Sequence, residues 1–126
     1  MVAVRLIGEV FMFNIFLDDE RSPDDVTWLQ LPEVKWVVLR TASDFRFFIE
    51  EAGMSNIGYI SFDHDINDYS EDQALEVTGY DLLKWLIDND LGNLPKCLFH
   101  SKNPIGRKNM EMYYNNYLTH KAKNGG

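Results

Sequence analysis

Four short runs of the chain are apolar almost without interruption: FNIFL at 13–17, WVVLR at 36–40, GYISF at 58–62 and KCLF at 96–99. A strand with one wet face alternates polar and apolar positions; an unbroken run suits a strand covered on both faces, which is the habit of parallel sheets. Between the runs the period changes. TASDFRFFIEEAG sets Phe45, Phe48, Ile49 and Ala52 at helical spacing, opens with Thr41 and Asp44 in capping-box positions and closes on Gly53. TGYDLLKWLIDND places Leu82, Leu83, Leu86 and Ile87 on one helical face, with Thr78 as its N-cap and Gly79 beginning the helix. NPIGRKNMEMYYNNYL brings Met110, Tyr113, Tyr114 and Tyr117 to one side, with Pro104 at the first helical position. Residues 22–32 start like a helix at SPDD, but Pro32 cuts the pattern short and the segment reads mostly as loop.

The alternation of strand and helix predicts a small α/β fold, flavodoxin-like in its three layers, with a mostly parallel sheet of about four strands in the order 2-1-3-4 and right-handed crossovers. Such sheets bind ligands beyond the carboxyl ends of the strands, where the strand order reverses, here between the first and third strands. Those two strands end in DDER and DHD. The polar stretch 67–77 is the longest irregular segment and reads as a lid over that edge.

Length and charge narrow the function. With 126 residues, 45% hydrophobic content and 13% aromatic, the chain makes one domain with one core, expected over 13–120, with a flexible tail at 121–126. Residues 1–12 read as an N-terminal extension, forming an extra strand or disordered; Met12 precedes the first convincing strand, so 1–11 would stem from an earlier start codon. That start is apolar, but Arg5 and Glu9 interrupt it and no small-residue cleavage site follows, so the chain reads as soluble, without a membrane partner. Twelve basic against twenty acidic side chains give a net charge of −8, which disfavours binding of extended nucleic acid but leaves room for a small anionic ligand held through a metal. The single Cys97, within an apolar run, excludes an internal disulfide and a cysteine-rich zinc site and fits a reducing cytoplasm.

Carboxylates crowded at a strand end repel one another and need a cation, a proton or water. Asp18, Asp19 and Glu20 would face Asp63 and Asp65 across adjacent strands, and a hard divalent cation such as Mg²⁺ or Mn²⁺ suits such oxygen donors. The plainer alternative is that some are helix caps or solvated loop residues. His64 and His100 fall at the same edge as a candidate general base and acid; His64 is as readily explained by a hydrogen bond to its neighbouring carboxylates. Ser101, Asn103 and the amides that open the last helix, with Gly106 for close approach and Arg107 nearby, form a candidate phosphate cradle; capping by Asn103 explains part of it equally well. Arg21 is placed to bridge the acidic cluster; Lys102 and Lys108 read equally well as solvated or functional, and Trp28, Trp36 and Trp85 read as core or packing residues rather than base-binding ones.

Taken together, FLDDERSP, SFDHD, TGYDLLKWL and HSKNPIGRKNM resemble the receiver-like family named for cyclic-phosphate processing, found in phages and bacteria, over Phe13 to about Tyr117. The resemblance implies a receiver-like fold and a role in processing cyclic phosphates of nucleotide or ADP-ribose type, carried onto Asp18, Asp19, Asp63, His64, Asp65, His100, Ser101 and Asn103. The chain is also similar to response-regulator receivers, but lacks the lysine those carry after a fifth strand, and its histidines are foreign to them. The expectation is therefore a cytoplasmic, metal-dependent phosphoesterase that opens a cyclic phosphate on a nucleotide, RNA end or ADP-ribose derivative. The alternative is a non-catalytic binding module, for instance a phage-encoded modulator that engages a basic protein partner or sequesters a nucleotide in the host cytoplasm.

Overall fold

The computed structural model describes residues 12–124, so the extension expected over 1–12 lies, apart from Met12, outside the described residues. Strands β1 (Phe13–Leu17), β2 (Trp36–Leu39) and β3 (Ile57–Phe62) precede a short antiparallel hairpin, β4 (Asp68–Tyr69) and β5 (Glu76–Val77), and β6 (Lys96–Phe99) follows. Helices α1 (Ala42–Ala52), α2 (Gly79–Asp88) and α3 (Pro104–Lys123) complete the order. The four long strands form one sheet, β2-β1-β3-β6, and every neighbouring pair is parallel. This is the predicted α/β topology, a receiver-like sheet with the order reversing between β1 and β3.

The alternate positions of the strands divide between two unlike faces. Ile15, Leu17, Ile60, Phe62, Cys97 and Phe99 join Phe45 and Ile49 of α1, Leu82, Leu83 and Leu86 of α2, and Met110 of α3 in one buried core. Burial pushes the Cys97 thiol far up, which leaves it a packed side chain. On the other face Phe16 stacks on His100, centroids 4.2 Å apart, and meets Trp36 edge-on. The chain between β1 and β2 covers that face; it holds one 3-10 turn, Pro23–Asp25, and no α-helix, and Pro32 bars a helix from continuing toward β2.

The helix caps follow the sequence. Thr41 Oγ1 accepts from Asp44 N at 3.1 Å, Thr78 and Asp81 close a reciprocal capping box, and Asn103 Oδ1 accepts from Gly106 N at 3.0 Å. Residues 67–77 depart from the irregular segment that was expected. Asp68 pairs with Val77 and Tyr69 with Glu76, and the turn between them is closed by Ser70 N–H to Leu75 O at 2.8 Å. Asn67 at the hairpin's entry and Gln73 in its turn adopt positive φ, 50° and 61°. Asp68 Oδ2 also accepts from Ala42 N at 2.8 Å, docking the hairpin on the start of α1. Helix α3 runs to Lys123, and Asp90 accepts from both Tyr117 Oη and Lys121 Nζ, at 2.6 and 2.7 Å, tying the helix to the loop after α2. No helix among the described residues is long and apolar enough to cross a membrane.

Candidate functional site

Strand register builds the site. Leu17, Phe62 and Phe99 end three adjacent strands at the same level, and the backbone ladder continues one residue beyond each. Asp18 N–H donates to Leu39 O at 3.2 Å, Asp63 N–H to Leu17 O at 2.9 Å, and His100 N–H to Phe62 O at 3.1 Å. Three polar residues are thereby fixed side by side on the carboxyl edge of the sheet. Each offers one potential metal-ligating atom, all within 4.8 Å of one another.

Asp18 is fully buried and tightly held. Its Oδ1 accepts from the backbone N–H groups of Glu20 and Arg21 at 2.9 and 2.8 Å; its Oδ2 lies 3.0 Å from His100 Nε2 and 3.7 Å from Arg21 Nη1. Burial alone would raise this carboxyl, but the bond from His100 and the two backbone donors outweigh it and bring it down to about 2. His100 is equally buried, and desolvation holds its pKa below the ordinary histidine range in spite of Asp18. A neutral imidazole beside an ionised carboxylate has one tautomer available: Nε2–H donates to Asp18, and Nδ1 accepts from Ser61 Oγ at 2.7 Å. Trp28 Nε1–H caps the arrangement by donating to His100 O at 2.8 Å.

Asp63 stands opposite with more freedom. Its Oδ1 accepts from His64 N at 2.9 Å, and burial, reinforced by the charge of Asp18, raises its pKa to about 6. Burial and the neighbouring Asp18 and Glu20 charges raise Asp19 as well. Two glycines set this geometry. A Cβ on Gly79 would lie 1.7 Å from Asp63 O, so α2 reaches the end of β3 only with glycine there, and Gly79 N–H donates to His64 O at 2.7 Å. A Cβ on Gly106 would meet the His64 ring at 2.4 Å.

The cleft above these residues has a volume of about 350 Å³ and is lined by Asp18, Asp19, Glu20, Arg21, Asp63, Asp65, Asn67, Glu76, Ser101, Lys102 and Asn103. The carboxylates, Ser101 and Asn103 expected from sequence are thus brought together. The remaining candidates sit elsewhere. His100 lies beneath the cleft floor with both ring nitrogens engaged, because the loop over the Phe16 face buries that side of β6. His64 turns toward Gly106 and places Nδ1 2.8 Å from Asp65 Oδ1. Asp65 in turn accepts from Asn103 Nδ2 at 3.0 Å, linking the β3 loop to the cap of α3; these two bonds overcome burial and lower its pKa. Gly106 serves that packing, and Arg107 points into a separate groove with Leu29, Leu98 and Tyr114, its Nε 3.4 Å from Glu111 Oε2. Neither lines the cleft.

Sequence reasoning passed over Ser61, Trp28 and Lys102. Ser61 carried a signal, since it is a small hydroxyl residue between Ile60 and Phe62 in a mostly apolar strand and shares the parity of the Phe16 face. Trp28 and Lys102 carried none, because their meeting depends on where the β1–β2 loop lands.

A parallel four-stranded sheet with an acidic cleft at its switch point defines a receiver-like α/β domain. The family model described as the cyclic-phosphate processing receiver domain matches residues 13–116, and the chain belongs to that family. No curated protein and no solved structure matches the chain.

Proposed function

We propose that the cleft binds a hard divalent cation, Mg²⁺ or Mn²⁺, through Asp18, Asp19 and Asp63, and opens a cyclic phosphate on a nucleotide, RNA end or ADP-ribose derivative. The observation that carries this reading is the alignment of Asp18 and Asp63 across β1 and β3, with an ionised carboxylate on one side and a partly unsatisfied one on the other. An all-oxygen donor set of this kind fits such a cation. When bound, the cation would neutralise phosphoryl charge and acidify a water.

The chain's own residues divide the remaining work. Asp18 is held by three hydrogen-bond donors, with the Arg21 guanidinium 3.7 Å from Oδ2, so the carboxylate is oriented before any ligand arrives. His100 acts as a positioning residue for Asp18, with Ser61 fixing its tautomer. Asp65 holds His64 and Asn103 and supports the cleft wall, and Ser101 and Asn103 offer polar groups toward a phosphate. Turnover of cyclic mononucleotides, cyclic-phosphate RNA ends and ADP-ribose cyclic phosphate, with Mg²⁺ or Mn²⁺ and with chelator, tests this. Opening of one class that requires metal and is lost in Asp63→Asn supports it.

A second reading, a binding module without turnover, is favoured by one observation: among the described residues no imidazole lines the cleft. Saturable, metal-dependent binding of a cyclic phosphate with no product formed would decide for that module.

A further inference from the structure

Among the described residues two basic side chains line the cleft, Arg21 beyond β1 and Lys102 beyond β6, and both rest on one ring. Lys102 Nζ lies 4.3 Å from the centroid of Trp28, and Arg21 Cζ lies 5.3 Å from it. Trp28 is itself anchored to the end of β6 through Nε1–H to His100 O at 2.8 Å. Lys102 is exposed, and among the described residues it pairs with none of the six carboxylates that line the same cleft. Arg21 touches Asp18 only at 3.7 Å. An ammonium beside so many carboxylates would ordinarily settle on one; the negative face of the indole holds it instead.

We propose that Arg21 and Lys102, positioned by Trp28, form an anion subsite at the rim of the cleft for the phosphoryl oxygens of the ligand that the cation does not reach. This rests on the reading of the cleft as a metal-assisted phosphate site. A phosphate entering between Asp19, Glu20, Asp65 and Glu76 meets repulsion from these carboxylates; Asn67, Ser101 and Asn103 are neutral, and among the described residues of the lining Arg21 and Lys102 alone attract it by charge. A guanidinium and an ammonium held at a fixed place lose less rotamer freedom on binding, and the guanidinium offers a fork that matches two phosphoryl oxygens. Arg107, in its own groove beside Glu111, is not available for this role.

The test is a titration of inorganic phosphate into the full chain at saturating Mg²⁺, followed by the backbone amide cross-peaks of Ser101 and Asn103. Lys102→Gln, at an exposed position, is expected to weaken phosphate about tenfold and Trp28→Leu about fivefold, while Trp28→Phe, which keeps a ring under Lys102, stays within about twofold of the wild type. The Trp28→Leu/Lys102→Gln double variant is expected to fall well short of the product of the two single losses, since part of the ring's effect runs through the ammonium and only the rest through Arg21. Fully multiplicative losses, or an unchanged constant in Lys102→Gln, would overturn the subsite. Mg²⁺ binding is measured separately: if Mg²⁺ binds normally and phosphate ignores these substitutions, the subsite alone fails. If Mg²⁺ does not bind, the metal reading fails, and the same cycle run without it still decides the subsite.

Discussion

His100 Nε2–H donates to Asp18 Oδ2 at 3.0 Å, and neither side chain reaches solvent. The pair joins the end of β6 to the end of β1 beneath the cleft, skipping the strand between them. His100→Ala therefore leaves a buried carboxylate short of its strongest donor and a hole beside Phe16, and is expected to cost about 2–4 kcal/mol of stability at pH 7, measured by chemical denaturation. His100→Gln, which can restore a donor to Asp18, should recover part of that loss.

Asp18 and Asp63 give opposite pH dependences. The lowered Asp18 carboxyl contributes stability that is complete above its unfolded value near 4 and is lost as pH falls through about 2. The raised Asp63 carboxyl contributes stability that is complete below about 4 and is lost as pH rises through about 6. In the absence of divalent cations, Asp63→Asn should therefore stabilise the protein by about 1–3 kcal/mol at pH 7, and the gain should vanish near pH 4. Thermal melts of both proteins across pH 4–8 in chelator provide the check, and equal melting temperatures at pH 7 would rule the effect out.

The two close-packed glycines should differ in kind. Gly79→Ala drives a methyl into the carbonyl of Asp63, which the sheet holds, so the loop carrying Asp63 must move; a loss of about 2–3 kcal/mol is expected, with cation affinity falling alongside stability. Gly106→Ala meets only the His64 ring, which can rotate away, so a loss nearer about 1 kcal/mol and an intact cation affinity are expected.

The hairpin over 68–77 is tied to α1 by Asp68 Oδ2 accepting from Ala42 N at 2.8 Å. Asp68→Ala frees that amide at the helix start and should cost about 1 kcal/mol. Hydrogen exchange at Ser70, whose N–H bonds Leu75 O, should quicken in the variant, while exchange in β3 stays unchanged.

The order of elements was legible because the strands are covered on both faces, which writes them as continuous apolar runs, and because Thr41, Thr78 and Pro104 mark helix starts that tertiary packing leaves in place. The convergence of Asp18 and Asp63 followed from their position just after two such runs. The direction of His100 did not. It depends on the sheet face that its strand parity selects and on the loop that covers that face, and a loop's landing place is not encoded in periodicity. Arg107 shows the same limit on a helix: one residue beyond Gly106 turns the side chain about 100° away, into the groove beside Glu111. The hairpin was hidden because its strands, Asp68–Tyr69 and Glu76–Val77, are too short to show alternation.

A divalent cation held by Asp18, Asp19 and Asp63 in the cleft between β1 and β3, as we propose, can be observed directly. Electron paramagnetic resonance of Mn²⁺ titrated into the protein at pH 7.5 measures this without reference to any substrate. Saturable Mn²⁺ binding is expected, abolished by Asp63→Asn and weakening as pH falls below about 6, where the raised carboxyl takes up its proton. Free Mn²⁺ throughout the titration, or equal affinity in folded Asp63→Asn, would contradict it.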